Sequence, residues 1–156
     1  MAETPPAPRV LVRAAERGPA ATAVHPWNPA SEVHGWMLSR AAGLSRVAVN
    51  LLWLPPGKEA FAYHRHHREE EWLYVLQGQG VALVEGVEHA VGPGDFLGFP
   101  PGVAHLFRNT GSADLQYLAG GEVVEDVEVA DFPALGQRLI RAGAAAFAHP
   151  VASGVP

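Results

Sequence analysis

From Val47 onward the chain is cut at short, regular intervals by turn signals: Pro55-Pro56-Gly57, Gly78-Gln79-Gly80, Gly92-Pro93-Gly94, Pro100-Pro101-Gly102 and Asn109-Thr110-Gly111. Proline presets φ and glycine enters the left-handed region without steric cost, so these clusters turn the chain and interrupt helices. The apolar segments between them have the length of strands, which points to an all-β barrel or sandwich of antiparallel strands. The pattern predicts strands over residues 46–54, 61–66, 71–76, 81–84, 95–99, 105–108 and 115–120.

The ends of the chain read differently. Residues 1–30 form an Ala/Pro-rich arm, in which the alternation of Arg9-Val-Leu-Val-Arg13 suggests one short strand. Residues 31–122 are expected to form the barrel and 123–156 a C-terminal extension. Within that extension, 132–148 is rich in alanine and leucine and is expected to be helical, against the resistance of Gly136 and Gly143.

Chemistry concentrates in two places. In His64-Arg-His66-His-Arg-Glu-Glu-Glu71, strand alternation puts His64 and His66 on one face, where two imidazoles can share one metal. Glu71 opens the next strand and shares a face with Leu73 and Val75, so a carboxylate stands opposite the histidine pair. Glu69 has the same parity but does not head the apolar strand, and Glu70 should face outward. Further on, the turn at Pro100 and Gly102 aims a strand that begins with a third imidazole, His105. No cysteine is present, so any metal must be held by nitrogen and oxygen.

These two stretches resemble the paired motifs of the cupin superfamily. The first is similar to G-x5-H-x-H-x(3,4)-E-x6-G, with His64, His66, Glu71 and Gly78 in register and six residues instead of five after Gly57. The second, Gly94, Pro100, Gly102, His105 and Asn109, matches G-x5-P-x-G-x2-H-x3-N throughout. The resemblance implies a jelly-roll barrel, or double-stranded β-helix. It also implies one divalent transition metal held by His64, His66, Glu71 and His105 in the barrel mouth, and a homodimer.

Three imidazoles and one carboxylate suit iron, manganese, nickel, copper or zinc, and a six-coordinate ion would keep two positions open. Those positions suit a small oxygenated metabolite with or without dioxygen. The inner positions expected near the ligands, Ala62, Leu73, Val75 and Phe107, carry no titratable group. That favours an oxygenase over a sugar or sugar phosphate isomerase or lyase, which needs a base to move a proton. A non-catalytic small-ligand-binding protein is the reading from a different class.

The remaining histidines, His25, His34, His67, His89 and His149, read as surface residues. Trp72 and Tyr74 should point away from the metal, into a structural face; Arg65 and Arg68 could anchor an anionic substrate at the mouth, although parity turns Arg65 toward solvent. A net charge of −5 without a basic block offers nothing to nucleic acid or anionic membranes. With no signal-like start and no long apolar run, a cytoplasmic location is expected.

Overall fold

The computed structural model describes residues 10–151. All seven predicted strands form, each within two residues of the expected bounds. They are β3 (Val47–Leu54), β4 (Glu59–His66), β5 (Glu71–Gln77), β6 (Gly80–Val84), β8 (Phe96–Phe99), β9 (His105–Asn109) and β10 (Leu115–Glu122). Six more join them: β1 (Ala21–His25), β2 (Asn28–Met37), β7 (Val87–Val91), β11 (Val127–Phe132), β12 (Gln137–Ala142) and β13 (Ala145–Pro150). A single helical turn, α1 (Leu38–Ala41), links β2 to β3.

One sheet runs β1-β2-β3-β10-β5-β8, and the other runs β7-β6-β9-β4. They face each other, because Val33, Leu54, Leu73, Val75, Phe99, Leu115 and Tyr117 of the first pack with Ala82 and Phe107 of the second in one buried core. The two sheets join along one side where β2 meets β4 in parallel at Ser31 and Glu59. The result is the expected jelly-roll barrel.

The stretch read as an arm contributes β1 and the start of β2. Of the strand suggested over 9–13, Arg9 lies outside the described residues. Val10 to Arg13 run without pairing into a 3-10 turn at Ala14–Glu16.

The helix expected over 132–148 does not form. Phe132 ends β11, a 3-10 turn follows at Pro133–Leu135, and β12 and β13 make a hairpin around Gly143-Ala144. Alanine's preference for helix amounts to only a few tenths of a kcal/mol over most residues. Gly136 and Gly143, with φ of 57° and 58°, divide the segment into pieces of strand length. β11 pairs with β4 through Ala130 opposite His66 and Asp131 opposite Arg65. Its other edge then needs a partner, and β12 supplies one along its full length.

Asn109, the last position of the second motif, holds the turns at one end of the barrel. It is 1% exposed, and its amide Nδ2 donates to the carbonyls of Leu54 at 2.7 Å and Ala113 at 2.8 Å. Its Oδ1 accepts from the Gly111 N–H at 2.9 Å, and its main-chain carbonyl accepts from the Gly57 N–H at 3.1 Å. Asn109→Ala should strand these buried groups at a cost of about 2–4 kcal/mol, lowering Tm by roughly 5–10 °C. Thermal melts check this, and an unchanged Tm would contradict it.

Candidate metal centre

The histidines that the two motifs supply each approach one oxygen of Glu71. β4 and β9 pair so that His64 lies directly opposite His105. Glu71 opens β5 between β10 and β8, across from Gly121 and Phe99. Gly102, with φ of 89°, makes the turn before β9, and its N–H donates to the His66 carbonyl at 2.7 Å. The two motifs are therefore bonded to each other through the backbone. Glu71 Oε2 is 3.0 Å from His105 Nε2, 3.4 Å from His66 Nε2 and 3.6 Å from His64 Nε2. The ligand atoms of His64, His66 and Glu71 lie within 4.8 Å of one another.

Each imidazole is oriented by its other nitrogen. His64 Nδ1 donates to the Ala62 carbonyl at 2.7 Å, and His105 Nδ1 to the Val103 carbonyl at 3.1 Å. His66 Nδ1 faces Glu128 Oε1 at 3.3 Å. All three partners can only accept, so the proton sits on Nδ1 and a neutral ring turns its Nε2 lone pair inward. Stacking adds to this: Phe99 lies flat on His105, with centroids 3.8 Å apart and planes 5° from parallel.

Three inward lone pairs around a carboxylate oxygen repel unless a cation stands among them, either protons on the rings or a metal ion. The electrostatics carry the same demand. Burial opposes charge on Glu71, but with no metal bound and Nε2–H on the rings, hydrogen bonds from His105, His64 and His66 outweigh it and hold the carboxyl well below the usual carboxylate range. Burial likewise opposes charge on His66, yet Glu71, Glu69 and Glu128 together raise its pKa. The donor set thus fits a divalent transition metal on nitrogen and oxygen ligands.

One residue of this neighbourhood was not legible in the sequence, and a second, Glu69, shares the parity of Glu71. Glu128, 3% exposed, comes from β11 in the segment read as an extension. It also accepts from the N–H groups of His67 and Arg68, at 3.0 and 3.3 Å, and so fixes the turn between the metal-site strands. Glu69 is likewise buried, bonded to Arg141 of β12 and to the Val124 N–H. Glu70 faces outward as expected.

The wall near the cluster differs in part from expectation. Leu73 and Phe107 line an inner cavity beside His64, Glu71 and His105, whereas Val75 is plain core. Ala62 packs instead with Ala130 and Phe132. The pairing of β4 with β9 shifts between Ala60 and His64, where Phe61 adopts φ of 62°, and Phe61 takes the place expected of Ala62. Tyr117 of β10 also lines this cavity, so a titratable group is present after all. Alternation along 115–120 puts it inward with Leu115, and that signal was available in the sequence.

Other expectations divide. His89 and His149 are exposed. His25 instead packs against Trp27 and Phe132, and His34 stacks on Trp53. His67 is exposed as expected and bonded to Asp131 Oδ2 at 2.9 Å. Burial opposes charge on Asp131, but Arg138 first and then His67 hold its carboxyl well below the usual range. Arg68 pairs with Asp126, and Arg65 stands 3.6 Å from Asp131. Trp72 stacks with Phe96, while Tyr74 is exposed on the outer face.

The chain is a member of the cupin superfamily: residues 50–120, which hold all four candidate ligands, match the cupin domain model. The particular proteins it is similar to include a crystal structure from Acidithiobacillus ferrooxidans, provisionally named a sugar phosphate isomerase. That structure is 35% identical, with a TM-score of 0.85 over 91% of this chain and 92% of that one. A sugar phosphate isomerase from Silicibacter pomeroyi, described as a cupin, is 26% identical with a TM-score of 0.77 over 88% of each chain. An oxalate-binding protein from Thermotoga maritima is 38% identical over 66 residues, which is 42% of this chain and 54% of that protein. The chain thus spans about half the length of this curated relative. Among the described residues, no helix is long and apolar enough to cross a membrane.

Proposed function

We propose that His64, His66, Glu71 and His105 hold one divalent transition metal, and that the protein is an oxygenase-type enzyme acting on a small, oxygenated, unphosphorylated metabolite. The observation that carries the metal assignment is the convergence of three Nδ1-anchored imidazoles on Glu71 Oε2. When bound, a divalent metal there supplies a Lewis acid, and as iron, manganese or copper it supplies redox chemistry with dioxygen as well.

The larger cavity argues for the substrate class. It holds about 400 Å³ beside His66 and Glu71, a size suited to a small metabolite. Its described lining includes Glu69, Glu71 and Glu122 but only one guanidinium or ammonium group, Arg141, which is committed to Glu69. A phosphate needs uncommitted arginine or lysine to replace its hydration. Phe61, Trp36 and Asn50 offer contacts suited to an uncharged, hydroxyl- or carbonyl-bearing compound.

A second reading, isomerisation of a sugar or sugar phosphate, is supported by the likeness to the Acidithiobacillus ferrooxidans structure and by Tyr117 beside the cluster. The homodimer implied by the family belongs to either reading. Tyr74, Leu76 and Phe96, exposed together on the outer face of β5 and β8, support it. Sedimentation at twice the chain mass is expected, and sedimentation at the single mass would contradict it.

Metal content by plasma mass spectrometry, on protein purified without a His-tag, tests the assignment. Wild type and His89→Ala should carry near one metal per chain, and His105→Ala should lose most of it. Equal content in wild type and His105→Ala would sink the ligand set. Anaerobic Fe(II) loading followed by diols, diketones and sugar phosphates separates the readings. Substrate-dependent oxygen uptake supports the oxygenase, sugar phosphate turnover without oxygen uptake supports the isomerase, and neither would leave a binding protein.

A further inference from the structure

Two cavities share Glu71 in their walls. The outer one is the 400 Å³ cavity described above; the inner one, about 70 Å³, lies between the sheets against Leu73, Phe99, Phe107 and Tyr117. At roughly 15 Å³ for each water-sized occupant, the inner cavity admits a group of four or five non-hydrogen atoms. Its wall is hydrocarbon and aromatic apart from His64, Glu71, His105 and the phenol of Tyr117. The imidazoles and Glu71 are engaged with one another.

Tyr117 is not. The residue is 2% exposed, and its hydroxyl is buried with no hydrogen-bond partner among the described residues. The ring is held firmly, meeting Phe107 edge to face at 5.0 Å. A buried hydroxyl without a partner costs stability, and phenylalanine would fill the same space without that cost. A tyrosine phenol keeps its proton at neutral pH, so the group is an O–H donor. The structure therefore holds an unspent donor in a small apolar chamber beside the candidate metal cluster.

We infer that Tyr117 is a ligand-binding residue whose hydroxyl donates a hydrogen bond to a carbonyl or carboxylate oxygen of a small oxygenated carbon compound. The oxygen-bearing end of that compound enters the inner cavity, and its remainder extends into the outer one. Phe61, which lines both cavities, stands where they join. This deepens the proposed metal-enzyme reading and rests on it for the ligand's class.

The test compares full-length wild type with Tyr117→Phe, both zinc-loaded, by metal content, Tm and calorimetric titration with glycolate. Both proteins should hold the same zinc per chain, and the variant should melt no lower than wild type. Its glycolate affinity should fall about tenfold, the equivalent of one hydrogen bond. Equal glycolate affinity in the two proteins would overturn the inference, since the hydroxyl would then serve only a buried water. No glycolate binding by wild type, or loss of zinc from the variant, would overturn it as well. Wild type that holds no zinc would instead defeat the metal-centre reading, and the same comparison on the metal-free proteins would still decide Tyr117.

Discussion

The approach of three imidazoles to one carboxylate oxygen is the interaction around which this barrel is arranged. None of the four groups would gather there on its own. A half-buried carboxylate and three rings with their lone pairs turned inward need a cation, and the fold must hold them until one arrives. The backbone does that work. The Ala62 and Val103 carbonyls set the tautomers of His64 and His105, and the Gly102 N–H ties the second motif to the first at His66.

The C-terminal segment belongs to the same arrangement. β11 continues the sheet from β4 and carries Glu128 to His66 and Asp131 to His67, so the strand that presents two site histidines is braced from behind by two buried acids. Asp131 is in turn neutralised by Arg138 of β12, while the pair of Arg141 and Glu69 stands beside His66. The hairpin is thus part of the site's support, which explains why it takes strand form despite its alanines.

Much of this was legible in the sequence because it is local. Turn residues and two-residue alternation placed the seven central strands, and the spacing of His64, His66, Glu71 and His105 singled out the four groups that meet. What stayed hidden depends on pairing between distant segments. β12 and β13 have weak patterns of their own and exist because β11 offers an edge. Glu128 looked like one more charge in an acidic stretch until β11 paired with β4. Phe61 displaced Ala62 from the cavity wall because the register shifts there, which strict alternation does not foresee. Tyr117 is the exception, since alternation along β10 already turned it inward.

The central claim is that all four residues bind one metal together. X-ray absorption at the metal edge of protein loaded to one equivalent tests it most directly, because imidazole rings leave a multiple-scattering signature that can be counted. The account predicts a first shell of nitrogen and oxygen with scattering from three imidazoles, reduced to two in His64→Ala. A shell with one imidazole or none, or a spectrum unchanged by His64→Ala, would contradict it.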